Sequence, residues 1–544
     1  LLHLLTWLLP GSPHAPRRFA RQPIVVASIK LASRAVLGAA LLIGGCTSLP
    51  TNVERPVSYA ENGSQTTLGN LVSQNLPGDP QLDVSGFRLL ATGPYALDAR
   101  LALADSAQKT LDVQYYLLNN DDTGKQFWAA LRRAAERGVR IRLLLDDLYT
   151  VGENDLLVGM ATYPNVEVRL FNPFPDARSS LAGRFILSVG QLGRVNRRMH
   201  NKVFIADNQM AITGGRNVAD EYFTHAGNDN FVDLDVLSAG PVVSDISKEF
   251  DTYWNSKVVY PLFSIVSKPA SSAAAMTALD KALENTKNDN SLVPEDPLGH
   301  RPVSVDLKSG DLELHQAIAK VIWDSPEKAA GLDANTIAGT VTYSVDQQIS
   351  TAKHSMLLIS PYFIPGKTAL AHIKAAVARG VKITVVTNSL GATDVPLVYA
   401  GYSRIRGELL RDGVTIYEIS QGLAQERVKL GDFRSVLGRL HAKAVVVDDK
   451  DIFIGSMNMD GRSAHENTET GIILQSATIG AEVEKLVERD IERNSYEVRL
   501  DGDKTRWVTK IDGKITEYDS APDVSLGTRL EVDLLGPFAP EELL

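Results

Sequence analysis

An α/β architecture of two duplicated domains is expected from this chain, each domain a mostly parallel or mixed sheet flanked by helices, with the active site at their pseudo-two-fold interface. Three features lead there. The stretch from Arg198 to Asp207 carries His200, Lys202 and Asp207 at a spacing that returns far downstream as His441, Lys443 and Asp448. The phrase Arg-Gly-Val-Arg-Ile ending at Ile141 returns as Arg-Gly-Val-Lys-Ile ending at Ile383, at nearly the separation of the two histidines, which marks an internal duplication. Short apolar runs alternate with helical periodicity in both halves, the pattern of a largely parallel sheet under covering helices.

In order, Lys30 and Arg34 precede an apolar run over 35–43, then Gly44, Gly45 and Cys46. A charged region, a short apolar region and a small-residue processing site resemble a bacterial lipoprotein signal, with Cys46 as the lipid-anchored residue. The run is shorter than the roughly 20 residues that span a bilayer. On this reading 1–46 is a signal and the protein is a membrane-associated part of the cell envelope. Residues 47–85, rich in Pro, Asn, Ser, Gly and Thr, read as a flexible tether. The first domain takes 86–261. Its pattern is a helix over 96–108, a strand over 111–118, a helix over 125–137 stopped by Gly138, and a strand over 139–145. A helix over 154–160 and a strand over 166–171 follow, then a strand bearing the first His and Lys. Residues 262–310 have the composition of a solvated connector. The second domain, 311–500, replays the order with a helix over 344–353, a strand over 356–360, a helix over 368–379 and a strand over 381–387. Residues 501–544 form a C-terminal extension expected to pack on the body.

The chain has 544 residues, 44% of them hydrophobic, enough to bury large cores. A net charge of -9 gives no whole-chain case for a nucleic-acid partner. The single cysteine, Cys46, excludes an intramolecular disulfide or a Cys-rich zinc site.

The repeated residues suit phosphorus chemistry. Two imidazoles presented from equivalent strands can divide one displacement into two steps, one attacking phosphorus while the other protonates the leaving oxygen. Lys202 and Lys443 would neutralise non-bridging phosphate oxygens, and Asn217 and Asn458, at equal spacing after their histidines, would donate further hydrogen bonds. The small pairs Gly214-Gly215 and Gly455-Ser456 permit close backbone approach. A carboxylate should fix each imidazole through its second nitrogen, and by position Asp233 serves His200 and Glu469 serves His441. Asp207 and Asp448 complete the candidate catalytic set, although polar turn residues beside them suit structural duty. Arg194, Arg197 and Arg198 form either a solvated face or a phosphate-attracting one. His225, His315, His354, His372 and His465 have no partner pattern and are assigned structural roles. No dense set of metal ligands stands out, so neither metal nor cofactor is expected.

These residues resemble the phospholipase D superfamily, whose two HxKxxxxD motifs are each followed by GG or GS. Leu111-Asp-Val-Gln-Tyr-Tyr116, Arg142-Leu-Leu-Leu-Asp-Asp147, Asn172-Pro-Phe174 and Gly214-Gly-Arg-Asn217 are similar to the bacterial cardiolipin synthases within it. So are Leu440-His-Ala-Lys443, Phe453-Ile-Gly-Ser456 and Asn467-Thr-Glu469. The resemblance implies a phosphatidyltransferase in which His200 becomes phosphatidylated, His441 acts as general acid and base, and the lysines and asparagines bind phosphate. It implies phosphatidylglycerol as substrate, with phosphatidylglycerol or phosphatidylethanolamine as second lipid. Two motifs in one chain imply activity as a monomer. Three other readings compete: a hydrolase passing the phosphatidyl group to water, a nuclease-type phosphodiesterase, and a lipid-binding envelope protein without turnover. The acidic balance weighs against the nuclease, and both intact His-Lys pairs weigh against a mere binding module.

Overall fold

The computed structural model describes residues 48–76, 84–287, 292–331, 339–429, 438–511 and 514–535; Cys46 and the expected signal lie outside them. The first half contributes β1 (Val84–Leu90), β2 (Thr110–Tyr115), β3 (Arg140–Asp146), β4 (Val166–Phe171), β5 (Val203–Ala206), β6 (Met210–Gly214), the short β7 (Phe231–Val232), β8 (Asp235–Ala239) and β9 (Val259–Pro261). The second contributes β10 (His315–Trp323), β11 (Ser355–Ile359), β12 (Lys382–Asn388), β13 (Thr415–Ile419), the short β14 (Arg439–Leu440), β15 (Ala444–Val447), β16 (Asp451–Gly455), β17 (Thr470–Gln475) and β18 (Ser495–Asp501). It continues into β19 (Lys504–Ile511) and β20 (Lys514–Tyr518).

Strand pairing runs in one line, β9-β4-β3-β2-β5-β6-β8-β1-β10-β17-β16-β15-β11-β12-β13-β18-β19-β20. Read outward from the β1–β10 seam, the two sides follow the same order, so the duplication is a duplication of topology. Within this line only β2-β3-β4 and β11-β12-β13 are parallel. The sheet is therefore mixed, the second of the two forms expected, with its parallel pairs confined to the interior of each half. Short connections are the reason: β5 and β6 are joined by Asp207-Asn208-Gln209, the first two at φ 53° and 52°, and β15 and β16 by Asp448-Asp449-Lys450, the first two at φ 51° and 61°. Two successive residues at positive φ make the tight turn whose twist matches an antiparallel hairpin.

The repeated Arg-Gly-Val phrase has a local cause. Gly138 and Gly380 both adopt φ 88°, ending the helices Asp122–Glu136 and Lys367–Ala378 in the left-handed region. The arginine before each glycine reaches the carbonyl end of the preceding helix region, Arg137 donating to Ala104 O at 2.7 Å and Arg379 to Ala352 O at 3.0 Å.

Two segments differ from expectation. The supposed tether is bound down where it is described. Arg55 Nε donates to Val259 O at 2.7 Å, Ala60 N to Asp251 Oδ2 at 3.0 Å, and Arg142 to Ser58 O at 3.0 Å. The helix Thr67–Asn75 then buries Leu68 and Val72. An extended strap satisfied by side chains of the domain beneath it has no periodicity to read in its own sequence. The expected connector is also packed: the helix Ser272–Ala282 lies on Asn154–Met160, and Val303–Ser309 brings Asp306 to a buried ion pair with Arg88. In the C-terminal extension, β19 and β20 prolong the sheet, and Trp507 Nε1 donates to the buried Glu418 at 2.8 Å.

One apolar core belongs to neither half alone. Phe87, Leu144, Val203, Ile205 and Phe250 from the first half meet Ile359, Val386, Val446, Ile454 and Val483 from the second. Each such side chain contributes about 1.5–3 kcal/mol when fully buried, so this shared core holds the halves in one register.

Candidate active site

Each histidine sits just before its strand, where the chain leaves its own sheet to bond with the other half. His200 N donates to Thr468 O at 2.9 Å, and Thr468 N donates to Arg198 O at 2.9 Å. In the mirror arrangement β14 lies parallel to β7, and His441 N donates to Val232 O at 2.8 Å. These short cross-links set the residue after Thr468 beside His200 and the residue after Val232 beside His441.

Those residues are Glu469 and Asp233, so the carboxylates are exchanged relative to the sequence expectation. His200 Nδ1 lies 2.9 Å from Glu469 Oε2, and His441 Nδ1 lies 2.6 Å from Asp233 Oδ2. Each imidazole is backed by an acid of the opposite half because the parallel cross-links, rather than each half's own hairpin, fix the neighbour. The two acids are held differently. Ser456 Oγ donates to Glu469 Oε2 at 2.5 Å and Ser463 Oγ to Oε1 at 2.8 Å. Asp233 is shorter and fills the space at Gly215, where an added Cβ would lie 2.1 Å from Asp233 Oδ1. The GG and GS turns thus suit one acid each.

The lysines lie with their histidines. Lys202 Nζ donates to His200 O at 2.5 Å and Lys443 Nζ likewise to His441 O, but Lys443 Nζ also lies 2.8 Å from Nδ1 and 3.0 Å from Nε2 of the His441 ring. Edge-on tyrosines wall the imidazoles: Tyr116 is 5.2 Å from His200 and Tyr222 is 5.1 Å from His441, ring centre to ring centre. Asn217 Nδ2 donates to the Tyr222 hydroxyl at 2.9 Å, and Asn217 Oδ1 and Asn458 Oδ1 are buried without hydrogen-bond partners. Such orphaned acceptors in a polar site await a donor, such as a ligand hydroxyl.

Burial governs the protonation states. It pushes His200 down to about 4 against the pull of Glu469, and together with Lys443 it pushes His441 down to about 3. Burial also lowers Lys202 to about 7 and Lys443 to about 8. Burial is the largest single influence and works to raise both acids, yet the neighbouring groups together outweigh it, His441 with Lys443 and Arg216 at Asp233 and His200 with Lys202 and Ser456 at Glu469, so both are held below the usual carboxylate range. Lys443 acts on His200 and Lys202 on His441, so the six groups form one electrostatic cluster. An anionic phosphodiester entering it would meet two cations whose charge burial has made costly, and the pairing would relieve both.

Asp207 and Asp448 stand apart from this cluster. Asp207 Oδ1 accepts from Lys109 N at 2.7 Å and Thr110 N at 3.0 Å; Asp448 Oδ1 accepts from His354 N at 2.7 Å and Ser355 N at 3.2 Å. Each occupies a hairpin turn and secures the entry to β2 or β11, so they hold the sheet and leave the catalytic set. The arginines near His200 are neither a solvated face nor a phosphate lure. Arg198 is buried against Asp146 at 3.1 Å, Arg197 meets Glu466 at 3.0 Å, and Arg194 donates to Pro173 O at 3.0 Å. Sequence reasoning missed Ser456 as the support of Glu469, Tyr222 as a wall of the site, and the buried acid Glu249, which accepts at 2.6 Å from Nδ2 of Asn201, the residue after His200. The placement of Ser456 in the repeated GS turn was the signal for the first; nothing local marked the others.

The family described as "Cardiolipin synthase, PLD-like domain" matches residues 101–254 and 345–491. Over 458 residues the chain is 36% identical to cardiolipin synthase C of Escherichia coli (strain K12), covering 82% of this chain and 94% of that one. It is 26% identical over 444 residues to cardiolipin synthase A of Pseudomonas putida (strain KT2440), covering 81% of this chain and 75% of that one. Among solved structures, phosphatidylserine synthase of Haemophilus influenzae Rd KW20 superposes with a TM-score of 0.55 at 12% identity, covering 87% of this chain and 99% of that one. That likeness is one of fold.

Proposed function

Because the chain belongs to the cardiolipin synthase, PLD-like domain family, we propose that it transfers a phosphatidyl group between phospholipids through a phosphohistidine. It is an enzyme of the phosphatidyltransferase and phosphodiesterase type, and its substrates are phospholipids. In the proposed cycle His200 Nε2 attacks the phosphorus of phosphatidylglycerol while the neutral His441 relays a proton from the Lys443 ammonium beside its ring to the departing glycerol oxygen. His441 then takes the proton of a glycerol hydroxyl on a second phosphatidylglycerol, whose oxygen attacks phosphorus and releases His200; phosphatidylethanolamine, which has no free hydroxyl, enters as the other lipid by serving as the phosphatidyl donor, with ethanolamine leaving in place of glycerol. Lys202, Lys443, Asn217 and Asn458 bind the phosphate throughout.

The observation that carries this reading is the crossed pairing of both imidazoles with buried carboxylates at 2.9 and 2.6 Å. An acid on Nδ1 turns Nε2 toward the substrate and stabilises the imidazolium formed in each step. The division of labour follows from the lysines. Both lysines donate to the backbone carbonyl of their own histidine, but Lys443 Nζ also lies within hydrogen-bond distance of His441 Nε2, which favours His441 for proton traffic and His200 for attack. The membrane surface enters as a partner because Ile186, Leu187 and Val189 are about half exposed on the segment leading to His200, and Leu526, Leu530 and Leu534 stand exposed at helical spacing on Leu526–Leu535. No helix among the described residues is long and apolar enough to cross a membrane; anchoring through Cys46 would supply the attachment. A monomer holds both motifs, and the proposed reaction needs no cofactor and no nucleic acid.

The test is lipid analysis of a cardiolipin-deficient bacterial strain expressing the chain, with and without phosphatidylethanolamine, beside His200→Ala and His441→Ala. Cardiolipin restored by the parent alone supports transfer and identifies the second lipid. Phosphatidic acid instead of cardiolipin would make the chain a hydrolase, and an unchanged lipid profile would refute the lipid reading.

A further inference from the structure

We propose that His300, His315 and Glu482 bind a divalent transition-metal ion, zinc by the nature of its donors, at the seam where the two halves of the sheet join. The three side chains come from three segments: His300 precedes the helix Val303–Ser309, His315 opens β10, and Glu482 lies on the helix Ala477–Asn494. Their ligand atoms all lie within 4.8 Å of one another. His300 Nε2 is 3.4 Å from Glu482 Oε1 and His315 Nε2 is 3.0 Å from it. Tetrahedral zinc with bonds of 2.0–2.1 Å places neighbouring ligand atoms about 3.4 Å apart. The two edges to Glu482 are close to that spacing, and the third, between the imidazole nitrogens, is within 4.8 Å, so side-chain movement of at most about 1.4 Å would bring all three onto one ion.

Hydrogen bonding alone leaves the cluster unsatisfied. One carboxylate oxygen serves both imidazoles, while the buried Glu482 Oε2 and His300 Nδ1 have no hydrogen-bond partner. His300 is only 8% exposed. Its Nδ1 faces Asp296 Oδ2 at 3.8 Å, and Asp296 Oδ1 is fixed by the backbone N–H groups of Leu298 at 2.8 Å and His300 at 3.0 Å. A carboxylate behind a ligating imidazole is the usual support of a zinc-bound histidine. Imidazole and carboxylate donors without thiolate suit zinc better than magnesium or calcium. The His315 side chain, 33% exposed, gives the ion a path from solvent and leaves room for water as the fourth ligand. His315 also begins the β1–β10 ladder, opposite Phe87. The ion would tie the connecting segment, the seam strand and the helix together, a structural role apart from the histidine pair and independent of the phosphatidyl-transfer reading.

The experiment uses the full chain without a polyhistidine tag, stripped with chelator and returned to zinc chloride. Expected are about one zinc per chain by mass spectrometry of metals, visible cobalt bands of tetrahedral type on substitution, and a thermal midpoint several degrees higher with zinc than with chelator. His315→Gln and Glu482→Gln should each abolish the zinc-dependent shift while keeping the midpoint of the chelated parent. Zinc bound equally by parent and variants, absence of tetrahedral cobalt bands in the parent, or a midpoint indifferent to zinc would overturn the proposal. The cobalt spectrum of the parent decides the matter even if a variant fails to fold.

Discussion

Gly215→Ala isolates the contribution of the carboxylate behind His441. The new Cβ would lie 2.1 Å from Asp233 Oδ1, and a carbon and an oxygen need more than about 3 Å, so the carboxylate must retreat by about 1 Å. The His441–Asp233 contact of 2.6 Å would then open to about 3.6 Å, beyond hydrogen-bond reach. A hydrogen bond to a charged group is worth about 1.5–3 kcal/mol, equivalent to about 10- to 150-fold in rate. An independent guide agrees, since misplacing a catalytic group by about 1 Å costs about a hundredfold. The assay is steady-state turnover of phosphatidylglycerol in mixed micelles, with circular dichroism to verify folding. A kcat fall near a hundredfold at nearly constant KM is expected. Unchanged kcat in a folded variant would refute the argument that Asp233 orients His441, as would recovery of a 2.6 Å contact in the variant's crystal structure.

Three further outcomes follow from the same groups. The pH profile of kcat/KM should keep its plateau down to about pH 4, because burial holds His200 neutral to that point, and should decline above about pH 7 as Lys202 loses the proton with which it holds phosphate; an acid limb near 6.5 would contradict this. Asp207→Ala should destabilise the chain by about 1–3 kcal/mol, since the buried Thr110 N–H and the part-buried N–H groups of Gln108 and Lys109 lose a charged acceptor, while kcat per folded molecule stays within about threefold, measured by urea unfolding alongside turnover. Burial raises Glu249 to about 8 in the folded chain, from an unfolded value near 4.5, so its stabilising proton is fully held below the lower value and lost as pH rises toward the upper. Glu249→Gln should therefore flatten the fall in thermal midpoint between pH 5 and 8, and an equally steep fall would show that Glu249 is ionised.

What could be read from the chain was what repeats locally. The His-Lys spacing, the Gly138 and Gly380 helix stops and the Asp207-Asn208 turn are short-range features, each produced by a few consecutive residues. The alternation of strands and helices was legible for the same reason. The antiparallel seam through β1 and β10 was not, because strand periodicity is silent about pairing partners. The exchanged carboxylates were hidden still more deeply. Glu469 and Asp233 were found by position, but which histidine each meets depends on pairings between residues more than 200 positions apart, such as His441 with Asp233. The extended strap ahead of the helix Thr67–Asn75 misled because the backbone of Ser58 and Ala60 bonds to Asp251, Asn255 and Arg142 rather than to itself.

The exchange makes the two halves interdependent in a way that two adjacent copies would not be. If each histidine used the acid of its own half, a half could orient its imidazole alone, and docking would add only proximity. Here His200 lacks its Nδ1 partner until the second half is in place, and His441 until the first is. Symmetry then no longer protects equivalence. The first acid is an aspartate seated over a glycine; the second is a glutamate steadied by Ser456 and Ser463. Both lysines bond to the backbone of their histidines, but only Lys443 also reaches the ring. Attack on phosphorus requires an unencumbered, neutral imidazole, whereas relaying a proton requires a donor within reach, so a duplicated site performs both steps well only after its halves diverge. Gly215→Ser together with Asp233→Glu would rebuild the second half's arrangement in the first. If the divergence matters through the acids, this double variant should re-form the carboxylate–His441 hydrogen bond that Gly215→Ala breaks, yet remain slower than the parent; full parental kcat would place the asymmetry entirely in the lysines.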